Sequence, residues 1–148
     1  MAAPPATHGR VILLGATGFT GRLTAEAMVR AGLAPVLAGR NPERLQELTR
    51  ELFRLAPAGK APTWQQADVS DAESVDRLDT ISADVLVSTV GPFSVLGEAA
   101  INASINHGCT YIDSTGEAGF IKSVFDRDAE FQSTGARAIT ACGYDFIP

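Results

Sequence analysis

Short apolar runs alternate along the chain with longer segments that have helical periodicity. Six runs that we interpret as strands lie at 10–14, 34–38, 63–67, 84–89, 110–113 and 137–141. Those at 11–14 and 85–87 are apolar at successive positions rather than at alternate ones. Continuous apolar runs are typical of strands in a parallel sheet whose two faces are both covered by helices.

The segments between these runs carry the spacing and the end signals of helices. After the second run, leucines repeat on one face of a predicted helix, at Leu45, Leu48, Leu52 and Leu55. Asn41 is a suitable N-cap for this helix, and Pro42 suits its first turn. Further helices are predicted from Ser70 or Asp71 toward Leu78, over 95–106, and from Phe120 through Phe131 to a stop near Gly135.

Strands that alternate with helices predict βαβ units with right-handed crossovers and one open parallel sheet. Six strands match an α/β, doubly wound sheet of strand order 3-2-1-4-5-6 with helices on both faces. We expect residues 1–9 to form a disordered tail and residues 10–148 to form a single domain. Because only seven residues follow Ala141, we expect no substrate domain and interpret the chain as a fragment of a longer protein.

The sequence GATGFTG follows the first strand directly and opens the first predicted helix. Gly15 permits the sharp turn, Gly18 lets the backbone approach a pyrophosphate, and Gly21 lets the helix pack closely on the sheet. Free N–H groups at the helix start face the phosphates, and Thr17 and Thr20 add hydroxyl donors. The loop therefore predicts a dinucleotide site in a Rossmann-type fold. It lacks the GK[ST] ending of a nucleoside triphosphate loop.

The end of the second strand indicates which dinucleotide is bound. Domains that bind NAD usually place Asp or Glu there, whereas this chain reads Gly39-Arg40-Asn41. A guanidinium binds a 2′-phosphate through charge-assisted hydrogen bonds, and Arg44 lies one helical turn further on. We therefore predict NADP (NADPH) rather than NAD. The alternative is that Arg40 is a solvated surface charge.

Two later turns are expected at the same edge of the sheet. Asp68 and Val69 follow the third strand, where such folds contact the adenine, although Asp68 is equally suited to cap the next helix. The turn at 89–92 follows the fourth strand beside the cofactor, where Gly91 permits close approach and Pro92 stiffens the backbone. A plain structural turn is the alternative for this segment.

Composition and charge narrow the class of protein. The 148 residues carry 12 Lys and Arg against 17 Asp and Glu, a net charge of −5, which disfavours nucleic acid as a partner. No apolar run approaches the roughly 20 residues of a membrane span, and no signal-peptide core is present. Cys109 and Cys142 lack metal-ligand spacing, so we predict two buried, reduced thiols, no metal site and a cytoplasmic protein.

Five motifs together resemble the N-terminal NADP-binding domain of the saccharopine dehydrogenase-like family, nearest to its trans-acting enoyl reductase branch. They are GATGFTG, LAGR, TVGPF, YIDSTGE and CGYDFIP, and they cover nearly all of the chain after the tail. The resemblance implies that the pyrophosphate is held by Gly15, Thr17, Gly18, Phe19, Thr20 and Gly21. It assigns the 2′-phosphate to Arg40 and Asn41, the adenine to Asp68 and Val69, and the nicotinamide side to Thr89, Val90, Gly91 and Pro92.

The resemblance also implies an NADP-dependent oxidoreductase that presents NADPH for hydride transfer. Family members continue into a second α+β domain, which holds most of the small-molecule or lipid-precursor substrate and often helps dimerisation. We therefore expect this chain alone to be inactive and to self-associate, for example as a homodimer. A non-catalytic NADP-sensing or scaffold module is the alternative function.

The catalytic residues stay unassigned by sequence. Asp113, Glu117, Tyr144 and Asp145 lie in loops expected at the carboxyl ends of the strands, where substrates approach. Each also has a structural interpretation: Asp113 holding loop backbone, for instance, or Tyr144 packing against a second domain. The Tyr-x-x-x-Lys pair of short-chain reductases is excluded, because the fourth residue after each tyrosine is Thr115 or Pro148.

Overall fold

The computed structural model describes residues 9–78 and 83–143, which form six strands and seven helices. The strands are β1 (Val11–Leu14), β2 (Val36–Gly39), β3 (Thr63–Gln66), β4 (Val85–Ser88), β5 (Thr110–Asp113) and β6 (Arg137–Ile139). The helices are α1 (Phe19–Arg30), α2 (Pro42–Phe53), α3 (Ala72–Asp76), α4 (Phe93–Leu96), α5 (Glu98–His107), α6 (Ala118–Phe125) and α7 (Asp128–Thr134).

The strands pair in parallel in the order β3-β2-β1-β4-β5-β6. Side chains of β1 alternate between two hydrophobic clusters, because Leu13 packs with residues of α1 and α2 whereas Ile12 and Leu14 pack with residues of α3, α5, α6 and α7. Helices thus cover both faces, which confirms the predicted α/β, doubly wound fold. β1 and β4 are neighbours although two strands separate them in sequence, so the chain reverses direction across the sheet between them.

The N-caps explain where the helices of the first half begin. Asn41 Oδ1 accepts a hydrogen bond of 2.8 Å from the Arg44 N–H, and Pro42 occupies the first turn of α2. Asp71 caps α3 by accepting from the Glu73 N–H at 3.1 Å. Of the three predicted caps for α3, which are Asp68, Ser70 and Asp71, Asp71 is therefore the one used.

Two predicted helices are each divided in the structure. The segment expected at 95–106 forms α4 and α5, which meet at Gly97. A Cβ at Gly97 would lie 2.4 Å from the Phe120 ring and 2.6 Å from the Phe93 carbonyl oxygen, so the absence of a side chain lets the Phe120 ring pack against this break. The last predicted helix forms α6 and α7, and its Phe125 is exposed rather than in the core.

Three further expectations concern the ends of the chain and its surface. The tail at 1–9, apart from Gly9, lies outside the described residues, as do Tyr144 and Asp145. Cys109 is buried as predicted, but Cys142 is exposed because it follows β6 in a loop beyond the sheet. None of the helices in the described residues is long and apolar enough to cross a membrane.

Candidate functional site

A cavity of about 380 Å³ opens at the carboxyl ends of β1, β2, β3 and β4. It therefore lies where the strand order reverses, which is the usual ligand site of an open α/β sheet. Its volume falls within the roughly 300–1,000 Å³ of ligand pockets. The predicted cofactor residues that line it are Gly15, Thr17, Gly18, Arg40, Asn41, Asp68, Val69, Thr89, Val90 and Gly91.

The turn after β1 requires glycine at its first position. Gly15 has a φ of +83°, a conformation that L side chains rarely adopt. A Cβ there would lie 2.7 Å from Val90 Cγ2 and 2.9 Å from Thr89 Oγ1. The N–H groups of Gly15 and Ala16 both donate to the Ala38 carbonyl, at 2.9 and 3.1 Å. The turn is thus fixed to β2 on one side and packed against the loop after β4 on the other.

The start of α1 leaves backbone donors free for an anion. The first helical hydrogen bond runs from the Arg22 N–H to the Gly18 carbonyl at 2.9 Å, so the N–H groups of Phe19, Thr20 and Gly21 have no partner within the helix. None of these three residues lines the cavity: Phe19 and Thr20 are exposed to solvent and Gly21 is buried. Any contribution from them to anion binding comes through the backbone.

Gly21 has the packing role that the motif predicts. A Cβ at this position would lie 2.0 Å from the Gly15 carbonyl oxygen and 2.9 Å from Ala16 Cα. No L side chain fits so close to backbone atoms. The absence of a side chain at Gly21 therefore sets how near α1 lies to the turn that it follows.

Two arginines give the far end of the cavity a positive charge. Arg40 and Arg44 are both exposed and line the cavity at the start of α2. Within the described residues neither guanidinium forms an ion pair, whereas Arg22, Arg30, Arg77 and Arg127 each pair with a carboxylate. Unpaired cations beside a helix N-terminus are suited to a phosphate.

The loop after β3 is held by Asp68, which does not cap a helix. Asp68 Oδ1 accepts from the Ser70 N–H at 2.9 Å and from the Ser70 hydroxyl at 2.7 Å. These bonds lower the pKa of the Asp68 carboxyl, first through the backbone of Ser70 and then through its side chain, with a smaller contribution from Arg40. The alternative that Asp68 caps α3 is wrong, because Asp71 does so.

The loop after β4 joins the ends of two strands. The Thr89 hydroxyl donates to the Leu14 carbonyl at 3.1 Å, and its backbone N–H donates to the same oxygen at 3.0 Å. Val90 and Gly91 line the cavity, but Pro92 does not. The Gly91–Pro92 peptide bond is cis. A Cβ at Gly91 would meet only the Phe93 side chain, at 3.7 Å, and its backbone N at 4.0 Å, so the protein itself leaves room there.

The two acidic candidates after β5 both bind backbone. Asp113 is 1% exposed, and its Oδ1 accepts from the N–H groups of Thr115 at 3.0 Å and Ala141 at 2.9 Å. The Thr140 hydroxyl lies 2.9 Å from both oxygens of Asp113. Asp113 therefore has its predicted structural role, which is to hold loop backbone. It ties the end of β5 to the loop after β6.

Glu117 holds the loop after β4 instead of lining the cavity. Its Oε1 accepts from the Phe93 N–H at 2.6 Å and its Oε2 from the Ser94 N–H at 2.9 Å. Hydrogen bonding from the Ser94 side chain, followed by that from the backbone of Ser94 and Phe93, lowers the pKa of the Glu117 carboxyl. Sequence reasoning placed this carboxylate near a substrate and missed that it binds two N–H groups.

Tyr111 is fully buried in β5 and does not line the cavity. Its hydroxyl makes no well-formed hydrogen bond within the described residues, although Asp113 and Ser88 lie close enough to affect its ionisation. Burial, followed by the charge of Asp113, raises the pKa of Tyr111 far above its usual value. This phenol is therefore unsuited to the proton transfer that tyrosine performs in short-chain reductases.

The cavity also has lining residues that the sequence did not identify. Four of them, Leu14, Gly39, Ala67 and Ser70, lie at strand ends or in loops, and the fifth, Leu96, lies in α4. Ser70 was assigned only as a possible helix cap, and Leu96 was placed inside one long helix. The break at Gly97 gives Leu96 a short helix of its own that reaches the cavity. No group of three or more His, Cys, Asp or Glu side chains in the described residues could hold a metal ion.

Comparison with known families agrees with this geometry. Residues 11–139 match the family model of the saccharopine dehydrogenase NADP binding domain. The match confirms the predicted family resemblance and the predicted cofactor, NADP. The match ends at Ile139, before the segment CGYDFIP that also suggested the resemblance.

Two relatives are similar over most of the chain. A probable mitochondrial saccharopine dehydrogenase-like oxidoreductase of Arabidopsis thaliana is 33% identical over 93% of this chain and 32% of its own length. A trans-acting enoyl reductase of Mycobacterium leprae is 36% identical over 93% of this chain and 33% of its own length. The chain thus spans about a third of the length of these relatives.

Solved structures support the fold. The apo, histidine-tagged saccharopine dehydrogenase (L-Glu forming) of Saccharomyces cerevisiae superposes with a TM-score of 0.72 at 17% identity. That similarity covers 93% of this chain and 28% of the yeast protein. A short-chain type dehydrogenase/reductase from Mycobacterium ulcerans superposes with a TM-score of 0.65 at 16% identity, over 90% and 66% of the two chains.

Proposed function

Because this chain belongs to the family of saccharopine dehydrogenase NADP-binding domains, we propose that it binds NADPH across the described cavity and presents it for hydride transfer in an oxidoreductase. In this proposal the pyrophosphate lies on the GATGFTG loop and the start of α1. The adenine lies beside Asp68 and Val69, and the nicotinamide half lies beside Val90 and Gly91. The 2′-phosphate lies between Arg40 and Arg44.

One observation carries the proposal: Arg40 and Arg44, which form no ion pair within the described residues, line the same cavity as the turn at Gly15. A dinucleotide with a 2′-phosphate has anionic groups at both of these places. The positive φ of Gly15 and the free N–H groups at the start of α1 suit the pyrophosphate. The residues present therefore fit the cofactor that the family binds.

The bound cofactor supplies the hydride, so this chain contributes position and electrostatics. The Thr89 hydroxyl donates to the Gly15 carbonyl at 3.3 Å, and a Cβ at Gly15 would lie 2.7 Å from Val90 Cγ2, so the phosphate loop lies close against the loop after β4. Relatives named enoyl reductase and saccharopine dehydrogenase suggest a small-molecule or lipid-precursor substrate. We propose that residues beyond this chain hold most of that substrate. Self-association stays a prediction, and a strictly monomeric sedimentation profile at high concentration would contradict it.

Calorimetric titration with NADPH and with NADH tests the cofactor site. We expect the wild-type chain to bind NADPH more tightly, because NADH lacks the 2′-phosphate that Arg40 would bind. Arg40→Ala removes one charge-assisted contact and should weaken NADPH binding by about 10- to 150-fold. Binding of NADH should change little.

Arg54→Ala is the matched control, since Arg54 is an exposed arginine directly after α2 that does not line the cavity. It should leave both affinities unchanged. Equal binding of NADPH and NADH by the wild-type chain would contradict the assignment of the 2′-phosphate. An equal loss of NADPH affinity in both variants would mean that Arg40 acts only through net charge.

A non-catalytic NADP-sensing module is the second candidate, and one observation favours it. In the described part of the chain, the charged side chains that line the cavity are Arg40, Arg44 and Asp68, and no His, Cys, Tyr or Lys side chain lines it. Turnover is measured as the loss of NADPH absorbance when an α,β-unsaturated acyl thioester is added as the substrate. We expect this chain alone to bind NADPH without turnover, and steady turnover by it would contradict that expectation. Turnover by a longer protein containing this chain would overturn the sensing alternative.

A further inference from the structure

The Glu117 carboxylate lies outside the cavity but bonds to a segment whose two ends line it. Its oxygens accept from the N–H groups of Phe93 and Ser94. Gly91, two residues before Phe93, and Leu96, two residues after Ser94, both line the cavity. We propose that Glu117 is a positioning residue that holds the loop after β4 in place for the nicotinamide half of the cofactor. This inference rests on the proposed function.

Glu117 is itself held by the loop after β5. Its own N–H donates to Thr115 Oγ1 at 3.0 Å, and the Thr115 N–H donates to Asp113 Oδ1 at 3.0 Å. Asp113 and Thr115 are each 1% exposed. A continuous set of hydrogen bonds therefore runs from the buried end of β5 to the loop after β4. Through these hydrogen bonds, residues of the motif YIDSTGE hold the last residue of the motif TVGPF.

A carboxylate suits this role better than any neutral side chain. Each of its oxygens accepts one N–H bond, so the two backbone donors at the start of α4 are satisfied together. A glutamine would present one acceptor and one NH₂ donor to two N–H groups. One of the two hydrogen bonds would be lost, and the glutamine NH₂ would face a backbone N–H, which is also a donor. The substitution would therefore release the loop without changing the size of the side chain.

The effect should be confined to one half of the cofactor. The other half lies at Arg40 and Arg44 after β2, whereas the Glu117 carboxylate bonds to the loop after β4. Adenosine 2′,5′-bisphosphate contains the adenosine and the 2′-phosphate without the nicotinamide. Its affinity reports the half of the site that Glu117 does not hold, and the affinity of NADPH reports both halves.

The experiment titrates the wild-type chain and Glu117→Gln with NADPH and with adenosine 2′,5′-bisphosphate. We expect Glu117→Gln to weaken NADPH binding by roughly 5- to 30-fold, less than the loss of a direct charge-assisted contact, because Glu117 acts on the cofactor only through the loop. Binding of the bisphosphate should be unchanged, and the fluorescence enhancement of bound NADPH should decrease. Glu117→Asp, which keeps the charge but is one methylene shorter, should give an intermediate result, and it serves if the glutamine variant does not fold.

Glu130→Gln is the matched control. Glu130 is another glutamate that accepts two hydrogen bonds, in this case from Arg127, and it does not line the cavity. It undergoes the same charge change, so it should leave both affinities unchanged. A loss shared equally by NADPH and the bisphosphate in Glu117→Gln would indicate general destabilisation and overturn the inference. Unchanged NADPH binding would overturn it too.

Failure of the proposed function has a different signature. If the wild-type chain binds neither NADPH nor the bisphosphate, the cofactor site itself is wrong, and the role of Glu117 falls with it. If the wild-type chain binds both and Glu117→Gln behaves like the wild type, only the positioning role is wrong. The wild-type titrations alone therefore distinguish failure of the proposed function from failure of the positioning role.

Discussion

The polar groups at the strand ends have hydrogen-bond partners within the described part of the protein in one half of the sheet and lack them in the other. After β1 and β2, the donors are left open: three N–H groups of α1 have no helical partner, and Arg40 and Arg44 form no ion pair within the described residues. After β4 and β5, the polar groups bind one another: Asp113 accepts from two backbone N–H groups, and so does Glu117. One half is prepared for an anion, and the other is internally closed.

This difference separates binding from positioning. A site for phosphates needs donors that the fold does not satisfy, and such donors are tolerated because they are exposed to water. The loops beside it need fixed geometry, which carboxylates provide by accepting several N–H bonds at once. An acidic residue at the carboxyl end of a strand is therefore not by itself a catalytic candidate. Its partners decide its role.

Removing the buried Asp113 carboxylate should give the largest loss of stability, which comes from the loops after β5 and β6. Asp113→Ala leaves the buried N–H groups of Thr115 and Ala141 without their acceptor, and each unsatisfied group costs about 1–3 kcal/mol. We expect the free energy of unfolding, measured by urea titration, to fall by roughly 2–6 kcal/mol.

Asp113→Asn is the control for that change. An asparagine oxygen can still accept from both N–H groups, and its NH₂ can donate to the Thr140 hydroxyl in place of Oδ2. The expected loss is only about 1 kcal/mol. Similar losses for the alanine and asparagine variants would mean that charge, rather than hydrogen bonding, makes Asp113 important.

A methyl group at Gly21 should instead damage the open half. The Cβ would lie 2.0 Å from the Gly15 carbonyl oxygen, so the turn after β1 must move. Overpacking of this kind costs about 1–3 kcal/mol, and we expect NADPH affinity to be lost as the turn shifts. Thermal unfolding and calorimetric titration of Gly21→Ala measure the two effects.

Gly119→Ala provides the comparison, because nothing lies within 4 Å of a Cβ at that position in α6. Alanine is favoured over glycine in helices, so this variant should gain about 0.4–1 kcal/mol. NADPH affinity should stay unchanged. Unaltered NADPH binding by Gly21→Ala would show that the turn does not set the phosphate site.

The smallest expected effect is a pH dependence in the closed half. The pKa of Glu117 is lowered in the folded state, so its bonds to the loop after β4 contribute stability above its unfolded pKa of about 4.3. That stability is lost as the pH falls through the folded pKa. The melting temperature of the wild-type chain should therefore exceed that of Glu117→Gln near neutral pH, and the difference should shrink below about pH 4. A constant difference down to pH 3 would contradict this assignment.

The sequence by itself determined the architecture and predicted the place of the candidate cofactor site. The apolar runs at the six strand positions have a local cause, which is burial on both faces of a sheet, and so does Gly15, whose positive φ other residues rarely adopt. The strand order followed, since parallel strands joined by helices allow few arrangements. Arg40 was identified because it replaces an acid at a fixed place after β2.

Only the tertiary structure decided what the acidic residues bind and where the helices break. Asp113 accepts from the Ala141 N–H, 28 residues away, and Glu117 accepts from N–H groups 23 and 24 residues away. At Gly97, a ring from α6 occupies the space that a side chain would need. Periodicity and motif spacing report local preference, whereas the partner of a hydrogen bond and the fit of a ring depend on segments that folding brings together.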